Sequence, residues 1–429
     1  MGKAPSRRIR RIAVLFSGGD APGMNAYLRA LVRLAWNRHE IEVVGIKSGF
    51  SGLVEVCDLQ SSMQAMDGEC LRLLESQVGR RGLEDSDQQI VRLDSRSVSG
   101  IVDHGGIIVG STRCPAYQED RELRGQVVKL LDNLAVDAVV VVGGDGSLRG
   151  AADLAKESGM LVIGVPATID NDFPLSEVTL GWDTAVNTVV RTVRDVNDTA
   201  RSHRRIMVLE TMGRNSGLLA ETAAVASGAE IAVTPERGVL DGDKLLEIAM
   251  RIEDSLKRGR SHFIVLVAEG VELADDVLAG SSKRSSPGEA VTNYLVQYFN
   301  EIDIRGSLRK VDVRLTVLGY VQRGGSPTAD DRLLAANFAE KTLESLVKNQ
   351  PKSGVLCVTK GRIERRPFDA PPLPYHEAEL RRIDQLQKDI SDPGCDDTAL
   401  PTGKMKKKMH RSERRRGRPR ARRSSRRSR

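Results

Sequence analysis

The stretch Ala138-Val-Val-Val-Val-Gly-Gly-Asp-Gly-Ser147 decides the fold. Four consecutive valines leave no polar side to show to water. The strand they form must be covered on both faces, as in the interior of a parallel sheet. The glycines then turn the chain, and a helical pattern follows to about Lys156. The same unit recurs on either side. Ile12–Phe16 reads as a buried strand ending at Ser17-Gly-Gly-Asp-Ala-Pro-Gly-Met-Asn25, and residues 24–37 carry Leu28, Leu31, Leu34 and Ala35 at helical spacing. Ile41–Ile46 is a further strand, as is Leu161–Val165, which ends at Pro166-Ala-Thr-Ile-Asp-Asn-Asp172. Strands alternating with helices indicate an α/β fold with mainly parallel sheets. In such sheets ligands bind beyond the carboxyl ends of the strands, where these three loops fall.

A second series, Arg205–Leu209, Glu230–Val233, Phe263–Ala268 and Val311–Val317, predicts a second α/β domain facing the first across a cleft. Residues 57–95 are polar and weakly patterned, and read as an insertion with a helix near 63–76. Beyond Arg366 come a Pro-rich linker and one helical segment at 376–390.

Composition narrows the class. The chain has 429 residues, 40% hydrophobic and 29% charged, with 40 glycines and only 3% aromatics. That suits a soluble, Val/Ile-rich two-domain protein with many tight loops. No apolar run approaches the ~18 residues that span a bilayer, and the basic start leads directly into a strand, so a cytoplasmic location is expected. The cysteines Cys57, Cys70, Cys114, Cys357 and Cys395 are far apart with no C-x-x-C pair, which predicts reduced thiols rather than a zinc site or disulfides. Charge is divided unevenly. Residues 403–429 hold 15 Lys and Arg against one acid, Glu413, so the first 402 residues carry a net −7 within a total of +7. An acidic body bears a basic tail.

The loops carry the chemistry. Gly143-Gly-Asp-Gly-Ser147 opens a helix, whose N–H groups and dipole favour a phosphate, and Asp145 offers Mg²⁺ a hard oxygen ligand. The alternative is an ordinary strand-to-helix turn. No G-x-x-x-x-G-K-[ST] loop exists in the chain. Thr168-Ile-Asp-Asn-Asp172 sets two carboxylates two residues apart. With a cation nearby, one could bind metal while the other accepts a proton from an attacking hydroxyl. On composition alone a solvated acidic turn is the simpler reading. Arg113, Arg205, Arg214, Arg314 and Arg323 lie near strand ends or glycine turns, where planar guanidinium groups match phosphate oxygens. Any one of them alone reads as a surface arginine.

Together these strings resemble the 6-phosphofructokinase family. The matches run in order through residues 17–25, 110–113, 143–147, 168–172, 202–206, 212–214 and 314–327. The resemblance implies ATP-dependent phosphorylation of fructose 6-phosphate at its 1-hydroxyl, with Mg²⁺ as cofactor. Asp170 would be the base, with Arg113 and Arg214 steadying the transferred phosphoryl group. Asp145 and Asp172 would hold the metal. Gly19, Arg113, Cys114, Gly144, Asp145, Gly146 and Ser147 would line the nucleotide. Thr168, Ile169, Asp170, Met212, Gly213, Arg214, Glu269, Tyr320 and Arg323 would hold the sugar phosphate. Arg205 and Arg314 resemble arginines lent by a neighbouring subunit, which implies a homodimer or homotetramer. The implied domains are 9–183 with 322–350 for the nucleotide and 184–321 with 351–370 for the sugar phosphate, followed by a linker and helix over 371–402.

Departures from the family pattern sharpen the reading. Pyrophosphate users usually carry Asp at the position of Gly146 and Lys at that of Ala167; here neither is present, which favours ATP. Tyr320 replaces a usual histidine; it can hydrogen-bond a phosphate but cannot become cationic. Arg29 and Arg33 match an effector-site helix, whereas Asn197 stands where an arginine is expected, so weak or absent ADP and phosphoenolpyruvate control follows.

The tail, 403–429, has too little apolar content to fold and is expected to be disordered. Arg416-Gly-Arg-Pro419 resembles an AT-hook core. Loose, salt-sensitive binding to polyanions or DNA is the expectation. Two other functions stand beside the kinase: a pyrophosphate-dependent enzyme, and a nucleic-acid-associated protein using the fold as a platform for basic tails.

Overall fold

The computed structural model describes residues 8–62, 88–279, 285–301 and 311–390. Its first half comprises β1 (Arg11–Ser17), α1 (Met24–His39), β2 (Glu42–Ile46), α2 (Phe50–Ser62), β3 (Ile90–Leu93), α3 (Pro115–Glu119) and α4 (Arg121–Asn133). β4 (Ala138–Gly143), α5 (Asp145–Ser158), β5 (Leu161–Pro166), α6 (Trp182–His203) and β6 (Arg205–Thr211) follow. Next are α7 (Leu218–Ser227), β7 (Ile231–Val233), α8 (Gly242–Lys257), β8 (Phe263–Ala268), α9 (Asp275–Ala279) and α10 (Pro287–Glu301). The described residues close with β9 (Asp312–Val317), α11 (Ala329–Val347), β10 (Gly354–Thr359), β11 (Arg362–Arg366) and α12 (Tyr375–Ile390).

Two sheets organise these elements. One has seven strands in the order β11-β10-β5-β4-β1-β2-β3; the other has four, β7-β8-β6-β9. The second is wholly parallel, and in the first only the outermost pairs, β2–β3 and β10–β11, are antiparallel. All six residues of β4 are buried, as its valine run requires. Its two faces feed two cores: Val140 and Val142 join the cluster holding Tyr27, Leu31 and Phe338, while Val139 and Val141 join Leu15, Leu131 and Leu154.

β1 lies between β4 and β2, so the chain leaves it toward one edge and later returns to the other side. The crevice at that reversal opens beside Ser17 and Gly143, which are register partners. A Cβ on Gly143 would lie 2.3 Å from the Ser17 carbonyl oxygen, so only glycine lets the two strand ends meet.

Two sequence expectations need correction. Residues 351–370 do not join the second sheet: β10 runs parallel to β5 and β11 pairs with β10. The expected insertion at 57–95 is narrower, because α2 continues to Ser62 and Ile90–Leu93 pairs with β2. β3 is too short for its alternation to stand out from the polar stretch before it. The helix expected near 63–76 and the 403–429 tail lie outside the described residues.

Candidate active site

The carboxyl ends of both sheets face one cleft of about 300 Å³. Of the residues singled out by sequence, Gly19, Arg113, Cys114, Gly144, Asp145, Gly146, Ser147, Thr168, Asp170, Asp172, Met212, Arg214, Glu269 and Arg323 all line it. Loops after β1, β4 and β5 furnish one wall, and those after β6 and β8 the other.

The glycine loop begins α5 with Gly144 as N-cap and Asp145 in the first turn. Ser147 donates to the Ser17 carbonyl (2.7 Å), so its hydroxyl ties the helix start to the end of β1. Asp145 pairs with Arg149 one turn along the helix. Gln118, which sequence reasoning passed over, also lines the cleft and donates to the Gly146 carbonyl at 3.1 Å.

The acid loop is held from behind. Asn171 takes a left-handed backbone (φ 48°), a conformation asparagine tolerates better than most residues. Its side chain donates to the Glu177 carbonyl and accepts from the Thr179 N–H at 2.8 Å. Thr179 in turn donates to the Thr168 carbonyl at 2.6 Å. Asp170 is consequently fixed with 6% exposure, and its Oδ1 is buried without a hydrogen-bond partner. Burial, with the negative charge of Asp172 beside it, pushes the Asp170 carboxyl up to about 6; Arg323 works in the opposite direction.

On the facing wall, the Arg214 N–H donates to Glu269 at 3.0 Å, and Arg214 has φ 54° after Gly213 at φ 141°. The Met212 N–H donates to Gln322, whose amide also donates to the Gly319 carbonyl. Gln322 has no exposure, and it locks the loops after β6 and β9 together. Gly270 is a second residue missed by sequence: a Cβ there would stand 1.7 Å from the Arg214 carbonyl oxygen. Arg323 reaches across to the Asp20 carbonyl at 3.2 Å, joining the walls.

Other predicted residues lie elsewhere. The Ile169 side chain is fully buried in the core, away from the cleft that its neighbours Thr168 and Asp170 line. Gly213 does not line the cleft but sets the turn between two residues that do. Tyr320 is 83% exposed. Arg205 and Arg314 both pair with Asp312, at 2.6 and 2.9 Å. Arg205 begins β6, so about six residues, or roughly 20 Å of strand, separate it from the cleft end. Cys57, Cys114 and Cys357 are free thiols. No described helix is long and apolar enough to cross a membrane.

Such a cleft suits transfer of a phosphoryl group to a hydroxyl, because a raised carboxylate, clustered acids and converging arginines each meet a charge which that reaction moves. The sequence pattern of the Phosphofructokinase family matches residues 11–346. An ATP-dependent 6-phosphofructokinase of Clostridium botulinum (strain Eklund 17B / Type B) is 37% identical over 361 residues, 84% of this chain and 93% of that one. One from Lysinibacillus sphaericus is 39% identical over 80% of this chain and 88% of its own. Among solved structures, phosphofructokinase from Saccharomyces cerevisiae superposes with a TM-score of 0.67 at 26% identity. That match covers 89% of this chain, which spans about half of the yeast chain (48%). The chain belongs to the phosphofructokinase family.

Proposed function

We infer that this chain transfers the γ-phosphoryl group of ATP to the 1-hydroxyl of fructose 6-phosphate, giving fructose 1,6-bisphosphate as in glycolysis. The observation that carries the reading is Asp170: a buried carboxylate with one unpartnered oxygen in the cleft and an affinity for protons raised toward neutrality. Such a group accepts the proton of an attacking hydroxyl while remaining ionised at physiological pH. Thr168 on the same wall, Met212, Arg214 and Glu269 on the facing one, and Arg323 between them bind and orient the sugar phosphate. Arg113 and Arg214 are the guanidinium donors for the charge on the transferred group. The first sheet with α11 serves the nucleotide and the second sheet the sugar phosphate.

Among the described residues no group of three or more His, Cys, Asp or Glu is arranged as a metal site. Mg²⁺ in phosphoryl-transfer sites uses one or two carboxylates, with phosphate oxygens and water completing the shell. Asp145 and Asp172, both lining the cleft, fit that requirement. When bound, Mg²⁺ would neutralise phosphate charge. Asp145 would then exchange its pairing with Arg149, a side chain 76% exposed.

ATP is the donor because the site leaves room for it. A Cβ on Gly146 would meet only the Gln118 amide, at 3.5 Å, so no side chain crowds the phosphates; Ala167 brings no charge to hold pyrophosphate. Arg205 and Arg314, paired with Asp312 far from this chain's own cleft, support a homodimer or homotetramer in which each would serve another copy's site. β9 is a sheet edge, and Val317, Tyr320 and Val321 beside it are 55%, 83% and 60% exposed, which a second chain would cover. The chain acts in the cytoplasm, and its basic tail holds polyanions loosely. The deciding assay offers fructose 6-phosphate and Mg²⁺ with ATP or pyrophosphate in separate reactions. Turnover with ATP is expected; turnover with pyrophosphate alone would refute the assignment.

A further inference from the structure

The family pattern matches residues 11–346, and the described structure continues through β10, β11 and α12 to residue 390. After β11, Phe368 packs with Leu148, Phe173, Leu175 and Val355 beneath the acid loop. The Leu373 N–H donates to the Pro174 carbonyl at 2.8 Å, two residues beyond Asp172. The chain then crosses to the second sheet, where α12 lies on α7. There Ile383 and Gln387 are buried, and Gln387 donates to the Ala229 carbonyl at 2.8 Å. Asp384 stands 2.7 Å from Arg237, which also pairs with the buried Glu221 at 2.9 Å. Glu236, next to Arg237, accepts from the Gly217 N–H at 2.8 Å, and the Ser216 N–H donates to the Gly213 carbonyl. A continuous set of bonds thus runs from α12 to Met212-Gly-Arg214. A cavity of about 460 Å³ lies under this crossing, bounded by Asp172 and Asn171 on one side, Asn215 and Ser216 on the other, and Pro372–Pro374.

We propose that residues 367–390 form a strap that sets the spacing of the acid loop against the sugar-phosphate loop, with Arg237 and Asp384 as positioning residues for fructose 6-phosphate. The proposal rests on the kinase reading above. The strap touches each lobe directly behind the loop that lobe contributes to the cleft, so loosening it should spoil sugar binding before nucleotide binding. The nucleotide side, built on β1 and β4, has its own ties through Ser147 and Ser17.

The test uses the full chain with Asp384→Asn, which removes the charge while keeping the shape, and Leu373→Pro, which removes one N–H between two existing prolines. Arg237→Lys provides a conservative comparison. For both principal variants the expected result is a KM for fructose 6-phosphate raised about 3- to 10-fold, with KM for ATP and kcat within twofold of native. Hydrogen exchange of the unliganded protein gives a readout independent of turnover, in which the amides of 213–217 should exchange faster in Asp384→Asn. A lower unfolding temperature with unchanged KM and unchanged exchange overturns the proposal, as does an equal rise in KM for both substrates. If the native chain does not turn over fructose 6-phosphate at all, the kinase reading fails, and exchange at 213–217 alone decides for or against the strap.

Discussion

Asp170 bears two opposing demands. A carboxylate with 6% exposure and a value lifted to about 6 is poorly solvated when ionised, so the folded state resists the form that catalysis needs. The unfolded chain ionises near 3.8, so the penalty is absent below about pH 4, grows as pH rises to about 6, and is constant above. Asp170→Asn should lower turnover about 10²- to 10⁴-fold. It should also stabilise the fold by roughly 3 kcal/mol at pH 7.5. Unfolding melts at pH 7.5 and pH 4 would show that gain shrinking at the lower value. In the native chain kcat/KM should fall as pH drops through about 6; an acid limb near 4 would mean that the base is solvated. Gly146→Asp probes the nucleotide side. Its Cβ has space, so the fold should hold, while a carboxylate facing the phosphates should cut kcat/KM for ATP at least ~10-fold through like-charge repulsion.

Elements place these residues, and much of that placement was legible locally. The valine run of β4, the glycine loop opening α5 and the acid loop after β5 announce themselves by composition, and all of them fall where the cleft forms. Less legible is whatever depends on two distant segments meeting. Gly270 matters because Arg214, more than fifty residues earlier, passes its Cα; Gln322 matters because it accepts from Met212. Neither reveals this in its own neighbourhood. The same holds for β10, whose apolar run fits either sheet until its pairing with β5 is known. Gly270→Ala should displace the sugar-side turn, raising KM for fructose 6-phosphate more than ~10-fold and lowering the unfolding temperature together. Asp331 is the corresponding device for α6. From α11 it accepts from the Gly181 and Thr184 N–H groups, each at 2.8 Å, so one helix caps another. Asp331→Ala strands two buried donors and should cost about 3 kcal/mol, read as a lower denaturant midpoint with unchanged slope.

At the scale of the whole molecule, the charges that this chain offers its own cleft do not account for all its well-placed arginines. Arg205 and Arg314 share Asp312 on adjacent strands, level with the start and middle of β6. An arginine side chain spans too little to reach the strand's far end, so these two can serve a phosphate only if another copy brings its cleft to them. Symmetry makes that arrangement reciprocal in a closed dimer: each copy lends what it borrows. Asp170→Asn and Arg205→Ala should therefore each be nearly inactive alone and complement one another when co-expressed. In a hybrid pair, one site carries both defects and the other carries neither. Random pairing gives hybrids in about half the dimers, so activity should recover to about a quarter of native. A mixture no more active than the sum of its parents would mean that each cleft is complete within one chain. The Arg205–Asp312 pair would then be an ordinary surface tie between β6 and β9, whose loss costs well under 1 kcal/mol.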